Sequence, residues 1–133
     1  MLKKLDVYKF GTVSISVALV IGLICTVLVL PSNAVGQSKT VSIVKGASNP
    51  SSTEPYNPSP LSVPVGTTVT WINNDNTGHT VTQGNPSGNT PANGFDSGIL
   101  DPGKTFTHTF SSAGTIQYYC TLHPTMLGEV IVM

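Results

Sequence analysis

The C-terminal stretch "TIQYYCTLHPTMLGEVIVM", residues 115–133, holds two strand-like runs, TIQYYC and GEVIVM, joined by a short turn. Apolar residues alternating with polar ones, rich in β-branched and aromatic types, mark a half-buried strand. The turn carries Cys120, His123 and Met126 at intervals of three. In a tight loop between adjacent strands, side chains so spaced converge at one end of a sheet.

Upstream, the same signature recurs in KTVSIVK (39–45), LSVPV (61–65), TTVTWIN (67–73), HTVTQ (79–83) and TFTHTF (105–110). Segments rich in Gly, Pro, Asn and Ser separate these runs: GASNPSSTEPYNPSP, NNDNTG, GNPSGNTPANG, LDPGK and SSAG. Many short strands with such turns predict an all-β sandwich or barrel. Residues 84–94 are low in complexity and are expected to form a surface loop. No internal repeat and no helical period appears after residue 35.

Ahead of these strands, Lys3, Lys4 and Lys9 precede GTVSISVALVIGLICTVLVL, residues 11–30, a run without charge. It is about long enough to cross a bilayer core. The lysines are expected to stay in the cytoplasm and the remainder to be exported. Two readings fit: an uncleaved anchor, or a signal peptide cut near Ser32–Ala34. The run exceeds the usual signal-peptide apolar length of about 7–15 residues, which favours the anchor. The chain therefore divides into a basic cytoplasmic tail (1–10), an anchor or signal segment (11–30), a linker (31–38) and one domain (39–133). The domain is placed on the outer face of the cytoplasmic membrane, or is periplasmic or secreted if the segment is cleaved.

Formal net charge is zero, from six basic and six acidic residues. With no basic cluster, nucleic acid is not expected as a partner. Of the two cysteines, Cys25 lies in the apolar run and Cys120 in the domain, so no disulfide is expected between them. Roughly 95 residues suffice to bury a core without one.

A thiol without a disulfide in an exported protein is prone to oxidation, and a bound metal would protect Cys120. His123 and Met126 share its loop. The fourth position falls to His79, which follows the turn NNDNTG and opens a strand, so it can sit at the same end. Two imidazoles, a thiolate and a thioether form the blue-copper electron-transfer set. Structural zinc seldom takes a thioether, and hard cations need oxygen ligands. His108 alternates with Phe106 and Phe110 and reads as a strand histidine rather than a ligand. Trp71 alternates with Val69 and reads as core. Tyr119 should point away from the core if Cys120 points inward.

YYCTLHPTMLGEVIV, with VTWINNDNTGHTVT and FDSGILDPGKTFTHTFSSAGT, resembles the small blue copper proteins of the plastocyanin and amicyanin family, the cupredoxins. The resemblance covers about residues 39–133, and the Cys-x2-His-x2-Met spacing is that of the short-loop, amicyanin-like version. It implies a Greek-key β-sandwich with one type 1 copper under one end. It also implies that Cys120 forms the short copper bond, His79 and His123 complete the plane, and Met126 is axial. His79 should be buried, and the edge of His123 should reach the surface to pass electrons. Two positions depart from the pattern. Gly78 stands where plastocyanin and amicyanin carry Pro, as in azurin-like members. Thr80 replaces the Asn that braces the ligand loop, and its hydroxyl could bond that loop more weakly.

The expected function is single-electron carriage between redox partner proteins that dock at the His123 face, with no small-molecule substrate and no enzymatic activity. A copper oxidase or nitrite reductase would need further histidines, and the chain has three. A copper chaperone or storage protein is the alternative. Such proteins usually offer exposed Met/His or Cys-x-x-Cys clusters.

Overall fold

In the computed structural model, residues 36–133 are described; the basic tail, the apolar run 11–30 and most of the linker lie outside them. Among the described residues, no helix is long and apolar enough to cross a membrane.

Among the described residues, eight strands form two four-stranded sheets. One sheet contains β1 (Ser38–Ile43), β2 (Tyr56–Asn57), β4 (Thr68–Asn73) and β6 (Thr105–Thr109), in the order β2-β1-β4-β6. The other contains β3 (Leu61–Val63), β5 (Thr82–Gln83), β7 (Gly114–Tyr119) and β8 (Leu127–Val132), in the order β3-β8-β7-β5. From β3 to β7 every connection crosses from one sheet to the other. The all-β sandwich expected from the strand pattern is what the chain forms.

The side-chain period of two builds the core. Val69, Trp71 and Asn73 of β4 point inward and are buried, as are Gly128, Val130 and Val132 of β8. Val41, Ile43, Val63, Val81 and Tyr118 complete the layer between the sheets. Trp71 sits at its centre, with ring centroids of Phe95, Phe106 and Tyr118 within 5.5–5.9 Å. Tyr118 lies directly across the ladder from Gly128, and a Cβ there would overlap its ring, so only glycine fits.

Outward-facing positions of the first sheet are mostly hydroxyl residues in register. Ser38, Thr68 and Thr109 form one row and Thr40, Thr70 and Thr107 a second. The Thr68 and Thr109 hydroxyls bond each other at 2.8 Å. Threonine keeps the β-branched shape that suits a strand while remaining wet.

Strand ends differ from the sequence reading in ways that have local causes. LSVPV stops at Val63 because Pro64 lacks an N–H to continue the ladder. HTVTQ is a strand only at Thr82–Gln83; its first half pairs instead with the loop before β6, through a bridge between His79 and Leu100. The two-residue β2 was missed because it lies inside the proline-rich segment read as a turn.

Tyr56, in β2, is fully buried, and its hydroxyl donates to the Thr80 carbonyl at 2.6 Å. Burial first, then the neighbouring Cys120 and Tyr118, push its phenol far above the ordinary 10.0. The folded chain thus keeps a proton that the unfolded chain releases, and stability falls as pH rises above about 10. The midpoint of urea unfolding should be steady to pH 9 and decline from there, and Tyr56→Phe should flatten that decline. A midpoint that rises with pH in this range would contradict the assignment.

Candidate metal centre

The site begins with β4. Asn73 is fully buried, and its side-chain amide donates to the carbonyls of Thr77 and Leu100, both at 2.8 Å. Its Oδ1 accepts the Asp75 N–H at 3.0 Å. One residue thus folds the loop 74–79 back on itself. The loop delivers His79, which is fully buried and held to Leu100 by two backbone hydrogen bonds of 3.1 and 2.7 Å.

Asp75 then fixes the imidazole. Its Oδ2 lies 2.8 Å from His79 Nε2 and accepts the Thr77 hydroxyl at 3.2 Å. Its Oδ1 accepts the N–H groups of Gly46 at 2.9 Å and Asn76 at 2.8 Å. Burial works to raise the Asp75 pKa, but the donors from Gly46, His79, Asn76 and Thr77 outweigh it and hold the carboxyl well below its usual range. A carboxylate only accepts, so His79 Nε2 carries the hydrogen, and the lone pair is left on Nδ1.

That Nδ1 faces Cys120. The sulfur lies 3.9 Å from His79 Nδ1 and 3.7 Å from His123 Nδ1, and the three donor atoms all fall within 4.8 Å of one another. Bonds of about 2.0–2.3 Å to imidazole and thiolate, arranged trigonally, would separate neighbouring N and S donors by about 3.8 Å. The two sulfur–nitrogen separations therefore fit a three-coordinate transition-metal plane.

Cys120 follows β7 directly, and its loop returns to β8 through two backbone bonds. Cys120 N–H donates to the Met126 carbonyl at 3.1 Å and Met126 N–H to the His123 carbonyl at 2.9 Å. Cys120 and Met126 are buried, whereas His123 is half-buried. Thr80 N–H donates to the Cys120 sulfur at 3.3 Å. The Thr80 hydroxyl accepts the Thr121 N–H at 2.8 Å, so the threonine does brace the ligand loop.

The structure thus gathers the donor atoms of His79, Cys120 and His123, with Met126 buried at the end of the same loop. His108 lies elsewhere, its ring 4.6 Å from that of Phe95 and 4.9 Å from that of Phe110, and burial lowers its pKa. Tyr119 is half-buried between two fully buried neighbours, as the alternation predicted. Asp75 closes the Trp-x-Asn-x-Asp pattern within VTWINNDNTGHTVT, one of the stretches that carries the resemblance, but its role as the partner of His79 was not read from the sequence, and Thr77 and Thr121 were given no role.

The family model for copper binding proteins of the plastocyanin/azurin family matches residues 43–133. The chain belongs to that family. Amicyanin of Paracoccus denitrificans is 36% identical over 87 residues, 58% of this chain and 57% of that one. Plastocyanin of Scenedesmus fuscus is 33% identical over 72 residues, 51% of this chain and 74% of that one. This cupredoxin spans only a little over half of the amicyanin's length. Among solved structures, a novel purple cupredoxin from Nitrosopumilus maritimus is 34% identical with a TM-score of 0.65, covering 71% of this chain and 99% of that one. Copper is therefore the metal that the site of this cupredoxin serves.

Removing the carboxylate should loosen the first histidine. Asp75→Ala in the full chain should weaken copper binding by about 10- to 100-fold, the usual cost of losing a partner that orients a ligand. Asp75→Asn, which keeps an acceptor, should lose less. Competition against a chelator measures both, and equal affinity in all three proteins would show that His79 is oriented by other means.

Proposed function

We propose that this cupredoxin carries single electrons between protein partners through one type 1 copper held by His79, Cys120, His123 and Met126. Bound copper would supply a one-electron Cu(I)/Cu(II) couple, and the Met126 thioether would tune its potential. The observation that carries the reading is the contrast in burial within one closed donor set. His79 and Cys120 are fully buried and Met126 nearly so, while His123 alone is half-exposed. Such a site suits electron passage through one imidazole edge better than substrate binding. The protein does its part by holding donors in place before the metal arrives, through Asp75, Thr80 and the backbone bonds of the 120–126 loop.

The apolar run 11–30 with three lysines ahead of it supports anchoring at the outer face of the cytoplasmic membrane. Charge-transfer from a thiolate to Cu(II) gives intense visible colour. The full chain loaded with Cu(II) should be strongly coloured, either blue or, like the cupredoxin of Nitrosopumilus maritimus, purple. Cys120→Ser should abolish the band. A colourless wild-type protein with stoichiometric Cu(II) would overturn the reading.

Docking is proposed at the His123 edge. Leu122 and Leu127 flank it with 47% and 55% of their surface exposed, and Pro124 is also open to solvent. Ile99, exposed at 64%, lies against Gly78 beside His79 and extends the apolar surface. Charges in the domain are few: Lys39, Lys45 and Lys104 against Glu54, Asp96, Asp101, Glu129 and the buried Asp75. Steering by charge should therefore be weak. Leu122→Glu or Leu127→Glu should slow electron transfer to the partner and leave the spectrum intact, with little salt dependence in the wild type. Stopped-flow kinetics across a salt series reads both, and a steep salt dependence would move the docking surface elsewhere.

A further inference from the structure

Beneath the ligand loops runs a chain of hydroxyls that ends on a surface carboxylate. Thr82 Oγ1 donates to Asp96 Oδ1 at 3.1 Å. Thr80 Oγ1 lies 3.0 Å from Thr82 Oγ1, and Thr121 Oγ1 lies 3.2 Å from Thr80 Oγ1. Thr80 and Thr82 are buried, whereas Asp96 is exposed.

Each hydroxyl has one hydrogen to give, and a carboxylate has none. Those two facts fix the direction of every bond. Asp96 must accept, so Thr82 spends its hydrogen there. Thr82 can then only accept from Thr80, so Thr80 spends its hydrogen on Thr82. Thr80 Oγ1 is left with lone pairs alone toward the ligand loop, where it takes the Thr121 N–H at 2.8 Å and the Thr121 hydroxyl. With its side chain held from both directions, Thr80 presents its own N–H to the Cys120 sulfur at 3.3 Å.

Asp96 is itself fixed for this task. Its Oδ1 also accepts the Gly98 N–H at 2.9 Å. Residues 95–97 run antiparallel to 81–83, with Gln83 N–H donating to the Phe95 carbonyl at 2.9 Å and Ser97 N–H to the Val81 carbonyl at 3.1 Å. The Ser97 hydroxyl accepts the Val81 N–H at 2.8 Å.

We propose that Asp96 is a positioning residue for the copper site, acting through Thr82 to set the hydrogen-bond direction by which Thr80 holds the Cys120 loop. The inference rests on the copper reading of the site. Without an acceptor-only group at its end, the chain has two directions of equal standing. Thr80 is then free to turn its hydrogen toward Thr121, and its grip on both Thr121 and the sulfur slackens. A weaker N–H to sulfur bond leaves more electron density on the thiolate, which favours Cu(II) and lowers the potential.

Two substitutions in the full chain separate direction from charge. Thr82→Val keeps the shape and the Asp96 charge but breaks the chain. Asp96→Asn removes the charge but keeps an acceptor, because the Gly98 N–H holds the amide oxygen in place. In metal-free protein, exchange of the Thr121 amide should quicken about fivefold in Thr82→Val, the worth of one hydrogen bond. Asp96→Asn and Thr82→Ser should match the wild type. In copper-loaded protein, Thr82→Val should lower the reduction potential. The proposal is overturned if Thr82→Val leaves either the Thr121 exchange or the potential unchanged, or if Asp96→Asn speeds exchange as much as Thr82→Val. Asp96→Ala, at a surface position, should quicken the same exchange and lower the potential as Thr82→Val does, and an Asp96→Ala protein that matches the wild type overturns the proposal whether or not Thr82→Val folds. A colourless wild-type copper complex would overturn the copper reading instead, and the metal-free exchange would still decide whether the hydroxyl chain holds the loop.

Discussion

A buried carboxylate is costly unless every lone pair finds a donor, and around Asp75 that requirement organises one end of the molecule. Its four donors come from Gly46, Asn76, Thr77 and His79. Gly46 belongs to a different turn from the other three, and the sheet explains how they meet. Strands β1 and β4 pair in parallel, with Ile43 opposite Asn73, so the chain leaves both strands at the same end. The two turns that follow lie side by side there. Gly46 takes a φ of +77°, a conformation that suits glycine, and aims its N–H at the carboxylate. The sheet pairing, the turn and the imidazole tautomer are thus parts of one electrostatic solution.

The opposite side of the site depends on backbone rather than charge. Strands β7 and β8 pair antiparallel as far as Tyr119 and Leu127, and the residues between them include three of the four proposed copper ligands. Because Cys120 N–H and Met126 N–H are both spent inside the loop, its conformation is fixed by the chain itself. A metal bound there would find the sulfur and both imidazole nitrogens already gathered, so little of the chain would need to order on binding.

Sequence carried the strands and the ligands because both rest on short-range rules. Alternation and turn chemistry act over a few residues, and Cys120, His123 and Met126 share one loop. Even His79 could be placed, since it follows a recognisable turn. What escaped depends on contacts far apart in the chain. Strand β2 exists because Ser42 and Ile43 offer it a ladder, not because its two residues prefer to be extended. Asp96 reaches Thr82 across 14 residues and Thr80 reaches Thr121 across 41, and such pairings follow from the fold rather than from any local pattern. The brace expected of Thr80 is present, and what could not be read from the sequence is that Thr82 and Asp96 stand behind its hydroxyl.

The threonine rows on the outer face of the first sheet bear on how the domain meets water. Charged residues make up only 9% of the chain, so mutual repulsion contributes little to keeping molecules apart. The rows of Ser38, Thr40, Thr68, Thr70, Thr107 and Thr109 instead offer water neutral hydrogen-bonding groups. Repulsion between charges fades as dissolved ions screen it, within about 8 Å at physiological ionic strength and less in stronger brine. A face of neutral hydroxyls has no charge to screen, so its contact with water should change little with ionic strength.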